Sequence, residues 1–560
     1  MNGAQLLTAT LRSANVDTVF ALSGNQIMPI FDACLDSGIR LVHTRHEAAA
    51  VFMADAYAQL TGEIGVALVT AGPGFLNALG PLYMSRMSES PVLLLSGDSP
   101  VGQDGRGAFQ ALDQTACAMP VVKHSARAIS ATDVGSAVAA SIVTALEGRP
   151  GPVHLGLAFD ALIAPADVPV PPPVSFVPAL AAGEASDINA LVALLGSALR
   201  PLILTGPRLN ATRAPGLAER LSQAVDAPVI CLESPRGLND PSLGRFAETL
   251  AASDLIVSLG KRIDFSVGFG AEPAIAAGAT AALVDVDADA ISLGTRAFGS
   301  RLRTTIVAEP RAFAEALIAS VAGEAGECEG TGDPGEGSGE GFGGSGTPGR
   351  VEWRTRTKAS IDTPPVLPSP KVEMPTEAAI TPVALFDGVA RLLARVREPV
   401  LVVDGGEIGQ WAQASLRAPA RVINGPSGAI GGALCHALGA KAARPDATVV
   451  AVMGDGAAGF HLPELETASR LGLPFIAVIG DDARWNAEYQ IQARDYGPDR
   501  VHATTLGDAR YDVVAQGLGC FGALVSDPAA LDDALERALV SGKPACLVAK
   551  VDGWPAPAFR

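Results

Sequence analysis

Short apolar runs with the length of buried strands alternate along this chain with stretches of helical periodicity. A strand that is covered by helices on both faces is apolar at nearly every position, whereas a half-exposed strand alternates. The pattern therefore predicts an α/β fold in which helices cover parallel sheets on both sides. The clearest predicted strands are 64–70, 91–96, 153–157, 202–205, 255–259, 282–286, 399–403, 448–453 and 475–479.

Two stretches without this periodicity divide the chain. Residues 164–174 are Pro-rich and predict an extended connection, and residues 323–370 are rich in Gly, Glu, Ser and Pro and predict a long, partly disordered linker. We therefore expect an N-terminal domain over 1–165, a central domain over 185–320 and a C-terminal domain over 375–550.

The two outer domains repeat one order of elements. Residues 66–69 precede a Gly-rich turn, a helix and the stretch 91–98, and residues 449–452 precede the same order up to 474–481. This correspondence indicates an internal duplication. It is also compatible with chance, since α/β units resemble one another.

The composition excludes several functional classes. A formal net charge of −18 disfavours a nucleic-acid partner, which requires a basic surface. The sequence contains no apolar run long enough to span a membrane and does not begin like a signal peptide. Its seven cysteines are scattered without metal-ligand spacing, as in a reducing compartment. We therefore expect a cytoplasmic protein with neither nucleic-acid nor membrane partners.

A Gly-rich turn in the last third is the most informative local feature. The predicted strand 448–453 runs into Gly454-Asp455-Gly456, and an amphipathic helix follows. Glycines let the backbone approach a phosphate, and a carboxylate at such a turn suits Mg²⁺. The next strand ends in Asp481-Asp482, so Asp455 and Asp482 can share one cation at adjacent strand ends. Two ordinary Asp- and Gly-rich turns are the alternative interpretation.

The first third supplies a second group of polar residues. Glu47 begins an Ala-rich helix, where an apolar environment would raise the pKa of its carboxyl. A strand, the turn Ala71-Gly72-Pro73-Gly74 and then Asn77 follow. Taken alone, Glu47 is better explained as a helix-start carboxylate that interacts with the helix dipole.

These motifs, in this order, resemble the thiamine-diphosphate enzymes of the acetolactate synthase, pyruvate oxidase, benzaldehyde lyase and 2-hydroxyacyl-CoA lyase type. The resemblance rests on RHEAAA, TAGPG, GAFQ, GDG and the later Asp pair, and it covers nearly the whole chain outside 323–370. It implies three doubly wound domains that are pyrimidine-binding, central and diphosphate-binding. It also implies thiamine diphosphate and Mg²⁺ as cofactors.

The resemblance assigns roles to individual residues. Glu47 would hydrogen-bond N1′ of the aminopyrimidine, and Asp455, Asp482 and the backbone carbonyl of Arg484 would bind Mg²⁺. Ile430 would hold the cofactor in its bent shape. The other implied cofactor contacts are Gly72, Pro73, Asn77, Glu407, Ile408, Gly428, Gly454, Gly456, Ala457 and Trp485. The implied substrate contacts are Asn25, Gln26, Phe109, Gln110, Trp485 and Asn486, of which Phe109 and Gln110 are also candidate catalytic residues.

The sequence departs from the family pattern in two places. Asp481 stands where many relatives have Asn, which adds a negative charge near the implied diphosphate. In the middle domain, Ser266 stands where acetolactate synthases have the arginine that holds the carboxylate of the second 2-ketoacid. This second change argues against an acetolactate synthase proper.

The function that we expect is therefore cleavage or formation of a C–C bond next to a carbonyl. The favoured interpretation is a lyase or carboligase acting on a 2-hydroxy ketone or a 2-hydroxyacyl-CoA. Alternatives are an acetolactate synthase large subunit, a 2-ketoacid decarboxylase or, from another class, a non-catalytic cofactor-binding homologue. The resemblance further implies a homodimer or homotetramer with active sites between subunits, and FAD or ADP could bind the central domain.

Overall fold

The computed structural model describes residues 1–328, 348–364 and 380–558. These residues form three parallel sheets of six, five and six strands with helices packed against them, as the α/β prediction required. The chain divides into two compact units, Met1–Pro178 with Leu367–Pro557, and Ala179–Val366 with Ala558–Arg560. The first unit contains the first and third sheets, and the second contains the middle sheet. Each predicted domain thus contains one sheet. The exact first and last residues of the domains remain predictions.

The first sheet has the strand order β2-β1-β3-β4-β6-β5. Its strands are β1 (Thr18–Ala21), β2 (Arg40–His43), β3 (Gly65–Val69), β4 (Val92–Asp98), β5 (Ser125–Ala128) and β6 (Val153–Ala158). Its helices are α1 (Gly3–Ser13), α2 (Met28–Ser37), α3 (Glu47–Thr61), α4 (Pro73–Met87), α5 (Gln114–Ala118), α6 (Val134–Leu146) and α7 (Phe159–Ile163).

The middle sheet has the order β11-β10-β9-β7-β8. Its strands are β7 (Pro201–Thr205), β8 (Val229–Cys231), β9 (Leu255–Leu259), β10 (Thr280–Asp285) and β11 (Leu302–Val307). The helices of this unit are α8 (Ala185–Ser197), α9 (Leu217–Ala224), α10 (Phe246–Ala252), α11 (Ala288–Phe298), α12 (Pro310–Cys328) and α13 (Pro348–Ile361).

The third sheet has the order β13-β12-β14-β15-β17-β16. Its strands are β12 (Pro399–Val403), β13 (Ala420–Ile423), β14 (Thr448–Gly454), β15 (Ile476–Asp481), β16 (Phe521–Val525) and β17 (Ala545–Lys550). Its helices are α14 (Pro382–Arg395), α15 (Gly406–Ser415), α16 (Ala433–Ala443), α17 (Asp455–His461), α18 (Glu464–Leu471), α19 (Asn486–Asp495), α20 (Tyr511–Gly517) and α21 (Leu531–Val540).

The first and third sheets have the same topology. Numbered from their own first strands, both read 2-1-3-4-6-5, and β3 and β14 occupy equivalent central positions, as do β4 and β15. The repeated order that the sequence indicated is therefore present in the fold. Every predicted strand is also present, with ends displaced by no more than two residues.

Small residues allow the helices between the first and third sheets to approach closely. Both sheets contribute to one buried cluster that includes the Ala-rich helices α3 and α16. A Cβ atom added at Gly439 of α16 would lie 2.2 Å from the carbonyl oxygen of Met53 in α3. Glycine is therefore required at this contact, which fixes the two halves of the unit against each other.

The prediction of a linker over 323–370 is wrong where the structure describes it. Helix α12 continues to Cys328, and α13 occupies Pro348–Ile361. Arg350 and Trp353 of α13 are buried, and the Trp353 indole donates to the carbonyl oxygen of Pro201 at 2.8 Å. The sequence did not reveal this helix because it has few apolar residues and is anchored mainly by polar contacts. Residues 329–347 and 365–370 lie outside the described part.

Within the described residues, every helix is too short or too polar to cross a bilayer.

Candidate active site

Two acidic turns meet at the carboxyl edge of the third sheet. Strand β14 ends at Gly454 and α17 begins at Asp455, while the neighbouring strand β15 ends at Asp481 and leads into Asp482. Gly454 pairs with Gly480 in the parallel register, so the following residues emerge side by side. The arrangement that the sequence predicted for Asp455 and Asp482 is therefore present in the fold.

Burial and mutual repulsion govern the protonation of these two carboxyls. Burial, reinforced by the charge of Asp481, raises the pKa of Asp455 to about 7. Burial, reinforced by the charge of Asp455, raises the pKa of Asp482 to about 8. The Oδ2 atoms of both side chains are buried and accept no hydrogen bond from the described residues. A cation between them would satisfy both oxygens and remove the repulsion.

The described side chains include no set of three or more His, Cys, Asp or Glu positioned to hold a metal. A cation at this edge would therefore need further oxygen ligands from the backbone or from a bound molecule. The predicted third ligand, the backbone carbonyl of Arg484, lies two residues after Asp482, where Arg484 forms an isolated antiparallel bridge with Thr505. Two carboxylates supplemented by other oxygens are typical of Mg²⁺ bound together with a phosphate.

An aromatic ring determines the shape of the Gly-rich turn. A Cβ atom added at Gly456 would lie 2.5 Å from the ring of Trp485, so no larger residue fits there without displacing the ring. Trp485 in turn packs edge-to-face with Phe460, with 6.3 Å between ring centroids. Ala457 follows in the first turn of α17 and is buried. The turn thus keeps its backbone open beside an aromatic wall, as a diphosphate cradle requires.

A second loop of the third sheet carries Ile430. Asp404, at the end of β12, accepts hydrogen bonds from the backbone nitrogens of Gly431 and Ala433, each at 2.9 Å. Asn424 donates to the carbonyl oxygen of Ala429 at 3.0 Å, and Gly428 adopts a positive φ of 68°. The backbone on both sides of Ile430 is therefore fixed. Asp404 was not among the predicted site residues, although an Asp at a strand end before a Gly pair indicates such a role.

Two residues of α15 also border this edge. Ile408 is buried against the strand ends, since a Cβ added at Gly480 would lie 2.7 Å from its Cδ1 atom. Glu407 accepts a hydrogen bond at 2.6 Å from the backbone nitrogen of Ala556 in the C-terminal tail. The structure thus places both predicted residues at the same edge as the acidic turns, with Glu407 held by the tail.

Glu47 lies at the first sheet and is held by two neighbours. It is the first residue of α3, whose N-terminus is capped by the His46 side chain. Asn77 donates to Glu47 Oε2 at 3.0 Å, and a Cβ added at Gly74 would lie 3.2 Å from Oε1. The predicted grouping of Glu47 and Asn77 is therefore present. In the single chain Glu47 is partly exposed rather than fully buried.

Two glutamine side chains form an amide pair beside this turn. Gln26 donates to Gln110 Oε1 at 2.9 Å, and Thr70 donates to Gln26 Oε1 at 2.6 Å. Gln110 has a positive φ of 58°, and its carbonyl oxygen would lie 2.8 Å from a Cβ added at Gly72, which also has positive φ. Thr70, which sequence analysis did not select, therefore orients the pair.

The remaining predicted substrate contacts are placed differently. Phe109 is 70% exposed, and Asn25 is exposed at the start of a 3₁₀ turn. Asn486 is buried and donates to the carbonyl oxygen of Trp554 at 3.2 Å, so its amide is occupied by the C-terminal tail. Pro73 occupies the first position of α4, where it needs no hydrogen-bond donor.

Contacts between the two halves link these groups within one unit. The backbone nitrogen of Arg45 donates to Glu464 Oε1 at 2.9 Å, and the rings of His46 and His461 lie 5.9 Å apart. His461 ends α17, the helix that begins at Asp455. The residues flanking Glu47 therefore pack against the helix that carries the acidic turn.

Comparison with known proteins agrees with this geometry. Residues 1–117 match the N-terminal TPP binding domain of thiamine pyrophosphate enzymes, and residues 404–549 match the C-terminal TPP binding domain. Acetolactate synthase large subunit IlvG of Mycobacterium tuberculosis is 31% identical over 559 residues, which cover 97% of this chain and 95% of that protein. The chain belongs to the thiamine pyrophosphate enzyme family.

A second group of relatives carries a different name. The 2-hydroxyacyl-CoA lyase 2 of Homo sapiens is 30% identical over 570 residues, covering 94% of this chain and 85% of that protein. The protein of Bos taurus with the same name is also 30% identical, over 575 residues. The family resemblance seen in the motifs is thus confirmed, and the chain is a thiamine-diphosphate-dependent enzyme with relatives of both names.

Proposed function

We propose that this enzyme cleaves or forms a C–C bond next to a carbonyl, as a lyase or carboligase acting on a 2-hydroxy ketone or a 2-hydroxyacyl-CoA. The observation that carries the proposal is the pair of buried carboxylate oxygens, on Asp455 and Asp482, that accept no hydrogen bond from the described part of the chain and lie beside a Gly-rich turn. The name of the 2-hydroxyacyl-CoA lyase 2 relatives supports this substrate class.

Acetolactate synthase or 2-ketoacid decarboxylase chemistry is the second candidate, supported by the name of the mycobacterial relative. Ser266 argues against the first of these. It is buried and donates to Asp264 Oδ1 at 2.5 Å, so a neutral hydroxyl stands where the arginine would hold a second carboxylate. The nearby Lys261 is paired with Asp264 at 3.2 Å. A non-catalytic homologue is disfavoured, because Glu47, Asp455 and Asp482 are all present.

The residues present fit thiamine diphosphate and Mg²⁺. Asp455, Asp482 and the backbone carbonyl of Arg484 would bind Mg²⁺, and Gly454, Gly456 and Ala457 would lie along the diphosphate. When bound, thiamine diphosphate supplies a carbanion nucleophile and an electron sink for the bond that breaks or forms. Ile430 and Ile408 supply the apolar surface of the pocket, and Gly405 leaves room beside Ile430 Cγ2.

Glu47 is the proposed proton-transferring residue, acting on N1′ of the aminopyrimidine. Its hydrogen bond from Asn77 fixes the orientation of the carboxyl, and Gly74 keeps the face beside Oε1 open. The Gln26–Gln110 pair would donate amide hydrogens to a substrate oxygen, because Thr70 already fixes Gln26 Oε1. Phe109 and Trp485 would contact the apolar part of the substrate, and Asn25 and Asn486 would border it.

We propose a homodimer or homotetramer in which a second subunit completes the surroundings of Glu47. The partial exposure of Glu47 in the single chain supports this assembly. Helix α4 adds support, because it exposes Leu76 and Tyr83 on one face. Burying such a face against another copy would remove apolar surface from water. The proposed location is the cytoplasm.

FAD or ADP could bind the middle sheet at the carboxyl ends of β7 and β9, with an ordinary surface loop after β9 as the alternative. The basic groups there have acidic partners, since Arg208 contacts Glu309 at 2.7 Å and Lys261 contacts Asp264 at 3.2 Å. A nucleotide phosphate would have to compete with these carboxylates. The absorbance spectrum of purified protein tests for flavin, and calorimetric titration tests for ADP.

The proposed function is tested by calorimetric titration of metal-stripped protein with thiamine diphosphate and Mg²⁺, followed by turnover assays. We expect Glu47→Gln to bind cofactor within about 10-fold of wild type and to lose about 100-fold or more in turnover. Exposed Glu63→Gln is the matched control and should keep wild-type turnover. Benzoin, a 2-hydroxyacyl-CoA and pyruvate then separate the substrate classes. Turnover of pyruvate alone would reject the lyase proposal in favour of the second candidate.

A further inference from the structure

We propose that Lys550 is a positioning residue that allows Asp481 to stand beside the metal and diphosphate site. Lys550 balances the charge of this third carboxylate, and Asp481 in return holds the turn that presents Asp482 and the Arg484 carbonyl. This inference rests on the proposed function, because the site that Lys550 serves is the one assigned there to Mg²⁺ and diphosphate.

The pairing follows from the register of two neighbouring strands. Asp481 ends β15 and Lys550 ends β17, and the two residues are aligned partners in this parallel pair. Lys550 Nζ lies 2.5 Å from Asp481 Oδ2, and the side chain of Asp481 is only 1% exposed. A carboxylate this deeply buried needs a cationic partner, since an uncompensated buried charge is strongly destabilising.

The other oxygen of Asp481 organises the turn that follows. Asp481 Oδ1 accepts a hydrogen bond from the backbone nitrogen of Ala483 at 3.1 Å. Ala483 has a positive φ of 54°, a conformation that alanine rarely adopts without such support. Because Asp482 and Arg484 flank Ala483, the Asp481 carboxylate determines where both predicted metal ligands point.

The charge of Asp481 would nevertheless oppose a bound diphosphate if it were left alone. Asp455, Asp481 and Asp482 share one sheet edge, and their charges act on one another. The two positive charges of one Mg²⁺ balance two carboxylates, so no positive charge of the metal remains to balance the third carboxylate or the phosphates. Lys550 supplies the additional positive charge at hydrogen-bond distance from Asp481. Its second partner, Asp508, has a 78% exposed side chain and is accessible to solvent.

A double-mutant cycle tests this pairing. The dissociation constant of thiamine diphosphate at saturating Mg²⁺ is measured by calorimetry for wild type, Lys550→Met, Asp481→Asn and the double variant. We expect Lys550→Met to weaken binding by about 10-fold or more, because it leaves Asp481 unbalanced. Asp481→Asn keeps an acceptor for the Ala483 nitrogen, so it and the double variant should bind within about 3-fold of wild type.

Asp508→Asn is the matched control, since it removes the exposed partner of Lys550 and should leave affinity unchanged. Wild-type binding by Lys550→Met, or a double variant that binds as weakly as Lys550→Met, would overturn the inference. If Lys550→Met does not fold, a double variant that folds and binds within about 3-fold of wild type supports the pairing, because removing the Asp481 charge has then rescued the protein. A double variant that also fails to fold would overturn the inference. Failure of wild type to bind any cofactor would instead reject the cofactor site itself, which distinguishes the two proposals.

Discussion

The first and third sheets of this enzyme have the same strand order, but their carboxyl edges carry different chemistry. The edge of the first sheet presents the Gln26–Gln110 amide pair and the Glu47 carboxylate with its partner Asn77. A further carboxylate, Asp98 at the end of β4, is balanced by Arg127 at 2.7 Å, so we call this the neutral edge. The edge of the third sheet presents Asp455, Asp481 and Asp482 in a group whose charges act on one another. Identical topology therefore supports two kinds of site.

Most of the difference lies in the residues that follow the strands, since the equivalent strands β4 and β15 both end in an aspartate, Asp98 and Asp481. Strands β3 and β14 are both buried apolar runs that continue into Gly-containing turns. After β3 the turn is Gly72-Pro73-Gly74, and after β14 it is Gly454-Asp455-Gly456. A duplicated scaffold can thus keep its core while each edge acquires its own ligand. We assign the neutral edge to substrate and pyrimidine and the acidic edge to metal and diphosphate.

The largest effect that this comparison predicts is on cofactor binding at the acidic edge. Asp455→Asn replaces a charged metal ligand with a neutral amide, so affinity for thiamine diphosphate with Mg²⁺ should fall by about 100-fold or more. Calorimetric titration measures this loss. Asp499→Asn, at an exposed position of the same half, should bind like wild type. Unchanged cofactor affinity in Asp455→Asn would contradict the assignment of the metal to this edge.

The two halves should also differ in how pH affects the stability of metal-free protein. Burial lowers the pKa of His154 in the first sheet from 6.5 to about 3. The stability that this group contributes is therefore fully present above pH 6.5 and is lost as the pH falls through about 3. Burial raises the pKa of Asp455 from 3.8 to about 7. The stability that this group contributes is therefore fully present below pH 3.8 and is lost as the pH rises through about 7. The slopes therefore have opposite signs.

Chemical unfolding of metal-free variants between pH 4 and pH 8 measures both slopes. Asp455→Asn should gain stability relative to wild type as pH rises from 5 to 7, by up to about 1.4 kcal/mol per pH unit for one proton. His154→Gln should lose less stability than wild type between pH 6 and pH 4. Saturating Mg²⁺ and cofactor should reduce the Asp455 effect, since they bind the ionised form. Parallel pH profiles for all three proteins would contradict this assignment.

The strands and the positions of the two principal carboxylates could be predicted from the sequence, because apolar runs and Gly turns are local signals. Asp404 and Lys550 could not be predicted in this way, because their roles depend on which distant strand ends become neighbours. Lys550 is aligned with Asp481 only because β17 inserts next to β15. Helix α13 was missed for a related reason, since the partner of Trp353 is the carbonyl oxygen of Pro201, far away in the sequence.

The smallest predicted effect concerns the amide pair at the neutral edge. Gln110→Ala removes a partner of Gln26 and a candidate substrate donor, so KM should rise by about 10-fold as one hydrogen bond is lost. Cofactor affinity should stay within about 2-fold, because Gln110 is assigned to the substrate alone. Steady-state kinetics and calorimetry measure the two quantities, and exposed Gln103→Ala in the same loop is the control. If cofactor affinity fell with KM unchanged, the neutral edge would also bind the cofactor through Gln110, and the division between the two edges would be wrong.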